Sequence, residues 1–376
     1  MTAPSASLII AASEADSNLY YACRFLAPDP FVYLEVNGRK ILLMSDLEVD
    51  RARSQARVDE VLSLSEWETK ARQRWQTPRL TDTVSLLLED YGVKAVEVPA
   101  DFPLDPADRL RECGVALTAR PHPFFPQRLI KSDEEVAAIE ATQRHTEVAF
   151  EAAVQVLRES VIRGDAVISR GRALTSEDLK KVVNVSLMEN DCIAEHTIIA
   201  CGEAGVDPHN QGSGPIRPNQ SIIFDIFPRS SQTRYFADMT RTVVKGTAGD
   251  ELRRLYDAVL AAQLRGIELI KDGASGAAVH GEVARTLEAR GYATGVVDGR
   301  NQGFFHGTGH GVGLDIHEPP RMSRVDNELR TGQVVTVEPG LYYPGRGAVR
   351  IEDMVLVEGG GCRNLTRSPK LELLEL

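Results

Sequence analysis

Four carboxylates stand on segments that are otherwise apolar: Asp225 in SIIFDIF (221–227), Asp238 in RYFADMTRTVV (234–244), Glu338 at the end of VVTVE (334–338) and Glu352 in AVRIEDMVLV (348–357). Aspartate is depleted in strands, and an unpaired charge in an apolar interior is very costly. A fold that buries these segments must therefore bring a positive partner to them. Arg241 or backbone amides could satisfy the aspartates, but few basic residues flank the whole set. His310, in FFHGTGHGVGLDIHEPP (304–320), adds one imidazole. Four carboxylates neutralise about two divalent cations, and carboxylate-rich ligation with one nitrogen suits Mn²⁺, with Co²⁺, Fe²⁺ or Zn²⁺ as the other candidates. Such a site ionises water at neutral pH and needs no serine or cysteine nucleophile.

The spacing supports convergence. Asp225 and Asp238 lie 13 residues apart, joined by the polar turn PRSSQTR, so a hairpin of the two strands 221–227 and 234–244 would set both carboxylates facing one spot. Further strands are expected at 334–338 and 350–357. The glycine-rich stretch carries His306, His310 and His317. Its glycines do not follow G-x-G-x-x-G; they let backbone come close to a site. One histidine can ligate a metal, and others can donate protons or hold an oxyanion.

At 376 residues the chain is expected to form about two domains. Residues 1–120 read as α/β. FVYLEV and RKILLM flank Asn37-Gly38, a strong hairpin signal, VKAVEVPA (93–100) reads as a strand, and 47–90 has helical periodicity. That region shows no chemical cluster and is expected to be structural or to mediate oligomerisation. PHPFFPQRLIKS (121–132) is a proline-rich linker. Helices follow from Ser132, with Glu135 completing a capping box, from Thr175 with Asp178, and over 251–271 and 275–291. Helices and strands alternate loosely, which predicts α+β with a mostly antiparallel sheet.

A net charge of −11 argues against nucleic acid as partner. No apolar run approaches a membrane span, and the start lacks the basic and apolar regions of a secretory signal. The five cysteines are scattered, without C-x-x-C, as in a reducing compartment. A cytoplasmic location is expected.

The order Asp, Asp, His, Glu, Glu resembles the pita-bread metallopeptidases: methionine aminopeptidase, prolidase, aminopeptidase P and the metal-free creatinase. RLIKSDEEVAAI looks like the start of their catalytic domain, and DIF…DMTRT, HGTGHGVGLDIHEPP, VEPGLY and VRIEDMV look like their metal-site motifs. The resemblance implies a pita-bread catalytic domain over 128–376 and a smaller creatinase-like α/β domain over 1–122. It implies two metal ions: Asp225 chelating one, Asp238 and Glu352 bridging both, His310 and Glu338 on the second. His209, in DPHNQGSG, and His317 match histidines that contact substrate and steady the reacting amide. Arg350 matches an arginine of the proline-specific branch, and His306 a position lining the pocket. The N-terminal domain and Arg350 speak against methionine aminopeptidase, and the intact ligand set against creatinase.

What the resemblance implies is hydrolysis of an Xaa-Pro bond, in dipeptides or at peptide N-termini, by a hydroxide held between two metals. Glu338 would pass the proton to the leaving proline nitrogen. The partner implied is a peptide with proline second; a homodimer is implied by analogy. The alternatives are a binding module with a degenerate site, or a creatinase-like, metal-independent hydrolase of a small guanidino compound. The Asp225–Asp238 spacing is longer than the family's, and the family's glycine two positions after the first aspartate is Phe227. An even insertion keeps side-chain parity and fits a longer hairpin turn. Arg234, Tyr235 or Phe236 in that turn are candidates for shaping the pocket.

Overall fold

A computed structural model describes residues 6–376. The chain divides into two compact units, Met1–Arg128 and Leu129–Leu376, and the division falls within the proline-rich segment.

The first unit is built on strands β1 (Ala6–Ala11), β2 (Phe31–Val36), β3 (Arg39–Met44), β4 (Glu60–Ser63), β5 (Ala95–Pro99) and β6 (Ala116–Arg120), in the order β4-β3-β2-β1-β5-β6. Asn37 and Gly38 both take positive φ, 51° and 83°, as a two-residue hairpin turn requires. The β2–β3 pairing then sets Val32 against Leu43 and Leu34 against Ile41 on one face, and Tyr33 against Leu42 on the other. Both faces are buried. The first packs on Val84, Leu87 and Leu88, and the second on Leu19, Ala22 and Ala52. A sheet covered on both sides has near-continuous apolar strands rather than alternating ones, which is the character of FVYLEV and RKILLM.

In the second unit, helix α1 (Asp133–Glu159) starts at Ser132. The Ser132 hydroxyl accepts the Glu135 N–H (3.3 Å), and the Glu135 carboxylate accepts the Ser132 N–H (2.8 Å). Thr175 and Asp178 repeat this box at α2 (Ser176–Met188). These caps satisfy N–H groups that the first helical turn leaves without partners. Phe150, Val154 and Leu157 of α1 and Leu179, Val183 and Leu187 of α2 pack on Ile222, Phe224 and Ile226. Those last three lie on β8 (Ser221–Ile226), which runs between β7 (Ile198–Cys201) and β9 (Met239–Val244) in an antiparallel sheet.

A second helix pair, α3 (Asp250–Leu269) and α4 (Gly276–Ala289), covers the rest. It packs on a sheet of β10 (Gly309–Gly311), β11 (Glu318–Met322), β12 (Val334–Val337) and β15 (Asp353–Val357), and on the hairpin β13 (Gly340–Tyr343) and β14 (Gly347–Arg350). The architecture is the α+β, mostly antiparallel one expected.

Two expected strands are shorter than the alternation implied. The strand drawn over 234–244 begins only at Met239, and the one over 350–357 is broken at Ile351 and Glu352, between β14 and β15. The Asp225–Asp238 connection is also not a simple longer turn. Arg229 and Ser230 leave the hairpin to pair with Ile193 and Cys192, so the added length is absorbed in a side excursion.

Candidate metal centre

Alternation on β8 puts Ile222, Phe224 and Ile226 against the helices and turns Asp225 to the opposite face. Thr240 lies directly across from Asp225. Asp238 is two residues before Thr240, so the pleat carries it to the same face, although it stands just outside the ladder. Glu338 follows the last residue of β12, and Glu352 occupies the break between β14 and β15. His310 is the middle residue of β10, where the register with β11 shifts between His310 and Gly311; such irregularities re-aim side chains. A Cβ on Gly309 would fall inside the Thr336 carbonyl. We therefore expect Gly309→Ala to cost about 2 kcal/mol by overpacking, read as a lower denaturation midpoint at unchanged slope.

The five candidate ligands and the four residues matched in the sequence to substrate or pocket positions, His209, His306, His317 and Arg350, line one cavity of about 670 Å³. At its base, ligand atoms of Asp238, His310 and Glu352 lie within 4.8 Å of one another. His310 Nε2 is 3.6 Å from Asp238 Oδ2 and 3.5 Å from Glu338 Oε1. His310 Nδ1 is 3.1 Å from the Gly311 carbonyl, so Nδ1 carries the proton and Nε2 presents its lone pair to the two carboxylates. Burial, then His317, holds the His310 pKa down to about 3, so the ring is neutral.

A lone pair facing two carboxylates is repulsive unless a cation or a carboxyl proton lies between them. The carboxylates show the same frustration. Asp238 Oδ1 is buried with no hydrogen-bond partner. Burial first, then Glu352, Asp225 and Glu338, raise the Asp238 pKa well above the usual range. Burial, then Glu338 and Asp225, do the same to Glu352. Glu338 is pushed up to about 7, by burial against the opposing pull of Arg350. The orphaned oxygen, the oriented imidazole and the crowded carboxylates together fit a divalent-cation site.

Arg241, which could have neutralised the aspartates, is engaged elsewhere. It pairs with Asp353 at 2.8 Å and donates to the Glu352 carbonyl at 2.6 Å. The cluster's own cation is Arg350, 2.7 Å from Asp225 Oδ2 and almost fully buried. Arg350 also donates to Thr240 Oγ1 (3.2 Å) and Tyr342 Oη (3.0 Å). Thr240 in turn donates to Glu352 (2.8 Å). Tyr342 Oη is 3.0 Å from His306 Nε2, and His306 Nδ1 is 2.8 Å from the Gly307 carbonyl. Burial, then Arg350, keeps the His306 pKa down at about 4, so His306 accepts from Tyr342.

Thr240 and Tyr342 had not been singled out as functional, though DMTRT and VEPGLY contain them. They become visible only once the strands are in register. His209 and His317 are exposed at the cavity, with the His317 ring 4.4 Å from that of His310. Of the residues around the lengthened connection, the cavity is lined by Phe227. Tyr235 is buried and its hydroxyl donates to Glu135. Phe236 lies under Arg229, and Arg234 is not among the lining residues. The expectation that Arg234, Tyr235 or Phe236 shapes the pocket is thus corrected: none of the three lines it.

The chain resembles known proteins in sequence and fold. The chain is 33% identical over 249 residues to an Xaa-Pro dipeptidase of Pyrococcus furiosus, a match covering 66% of this chain and 65%, just under two thirds, of that relative. An Xaa-Pro dipeptidase structure from Bacillus anthracis superposes with a TM-score of 0.84 at 25% identity, covering 99% of this chain and 95% of that one. An X-Pro aminopeptidase from Thermotoga maritima shares the fold, with a TM-score of 0.81 at 22% identity over 99% and 98% of the two chains. Residues 137–359, more than half of the chain, match metallopeptidase family M24. With the acids and imidazole of the site converging inside that matched stretch, the chain belongs to metallopeptidase family M24.

Proposed function

We propose that the protein is a dinuclear metallopeptidase that hydrolyses the Xaa-Pro bond. The observation that carries the metal site is the buried meeting of Asp238, His310 and Glu352, with one Asp238 oxygen left without a partner. The proline preference is supported by Xaa-Pro dipeptidases among the similar proteins. Asp225, Asp238, His310, Glu338 and Glu352 would hold the ions. Mn²⁺ is proposed because the donors are four carboxylates and one imidazole nitrogen. The free cysteines support a cytoplasmic location.

Bound divalent ions supply Lewis acidity and a water that ionises near neutral pH. The remaining work falls to the chain. Arg350 holds one Asp225 oxygen, and Thr240 holds one Glu352 oxygen, which sets the orientation of both carboxylates. Glu338, whose Oε1 lies 3.5 Å from His310 Nε2 at the site, would take a proton from the attacking water. It would return that proton to the proline nitrogen as the C–N bond breaks. His209 and His317, at the cavity mouth, would donate hydrogen bonds to the reacting amide. His306, held neutral, lines the pocket.

The test is turnover by Mn²⁺-loaded protein. Ala-Pro should be hydrolysed and Met-Ala-Ser should not, and a chelator should abolish the activity reversibly. Hydrolysis of Met-Ala-Ser without Xaa-Pro turnover contradicts the proline reading.

A further inference from the structure

A second hollow of about 490 Å³ adjoins the catalytic cavity: Phe305, His306, Gly307 and Ser323 line both. Its volume lies within the roughly 300–1,000 Å³ usual for small-molecule sites. The outer wall is the strand pair Gly295–Val297 and Arg300–Gln302, which contributes Val296 and Asn301. His280, Phe304 and Arg324 complete it, and the reaction described above uses none of these three. The polar groups here are open. Arg324 is exposed and makes no ion pair or side-chain hydrogen bond among the described residues. His280 is only 9% exposed, and its Nδ1 meets Thr308 Oγ1 at 3.0 Å. Its Nε2 has no partner among the described residues.

The two hollows differ in their charged groups. The catalytic cavity is lined by five carboxylates together with Arg321 and Arg350, and the ions proposed there would offset those acids, whereas the second hollow has Arg324 and no carboxylate. The carboxylate end of a peptide matches that lone cation. One cation, neutral polar groups at His280 and Asn301, and apolar surface at Val296 and Phe304 suit a short stretch of backbone that ends in a carboxylate.

We propose that this second hollow binds the residues following proline in substrates three or four residues long, with the C-terminal carboxylate on Arg324. The inference rests on the Xaa-Pro reading and makes the enzyme one that accepts peptides longer than a dipeptide.

The experiment compares kcat/KM of Mn²⁺-loaded protein on Ala-Pro, Ala-Pro-Ala, Ala-Pro-Ala-Ala and Ala-Pro-Ala amide. Cleavage of the tri- and tetrapeptide is expected, with the free acid preferred to the amide. Arg324→Gln should lower the Ala-Pro-Ala to Ala-Pro ratio about five- to tenfold through KM, and should leave the amide almost unaffected. Ser323→Trp, which fills the junction of the hollows, should lower the same ratio. Cleavage of Ala-Pro alone by the wild type overturns the inference and leaves the proline reading standing. Unmoved ratios in both variants also overturn it. No Xaa-Pro turnover at all overturns both.

Discussion

Asp238→Asn should abolish activity while raising the melting temperature of the metal-free protein. The carboxylate is 4% exposed, has an oxygen without a partner, and is pressed by Glu352, Asp225 and Glu338. Asparagine keeps the size and removes the charge. Losing a ligand removes the several kcal/mol that a Lewis acid supplies to the transition state, so kcat should fall by at least about 10³-fold. The same change relieves a buried like-charge contact, so the bare variant should melt above the bare wild type, while added Mn²⁺ should stabilise only the wild type. A variant with unchanged turnover would falsify the ligand role; one that melts lower without metal contradicts the account of frustration.

The second large effect is on the pH dependence of the metal-free protein. Asp238, Glu338 and Glu352 all have carboxyl pKa values raised by burial and by each other. A carboxyl whose folded pKa exceeds its unfolded value holds its proton longer in the folded state. Stability is therefore highest below the unfolded pKa and falls as pH rises through the folded one. For Glu338 the window runs from the ordinary value of 4.5 to about 7, worth on the order of 3 kcal/mol. Asp238 and Glu352 act in the same direction. Chelated protein should accordingly lose melting temperature between pH 5 and pH 8. Divalent ion at a thousand times its Kd should restore about 4 kcal/mol. A bare protein whose stability rises over that interval would show that these carboxylates already have partners.

Much of the site was legible before the fold was known because it is written in violations. An aspartate between Phe224 and Ile226 has no local reason to be there, and the register explains it. The helix starts at Ser132 and Thr175 and the Asn37-Gly38 turn were legible because caps and turns are local chemistry. What stayed hidden depends on long-range register. Arg350 meets Asp225 across 125 positions of chain, Tyr342 meets His306 across 36, and Arg241 turns to Asp353 rather than to the aspartates. The break at Ile351 and Glu352 was hidden as well, since AVRIEDMVLV alternates as one strand would. The strand Ala6–Ala11 was not anticipated either. It is a short run whose partners, β2 and β5, lie far along the chain.

The measurement that bears most directly on the metal centre is elemental analysis of purified, active protein before and after dialysis against a chelator. The account predicts about two equivalents of divalent transition metal per chain, lost together with Xaa-Pro turnover and both recovered on adding Mn²⁺. Full turnover in a preparation free of metal would contradict it.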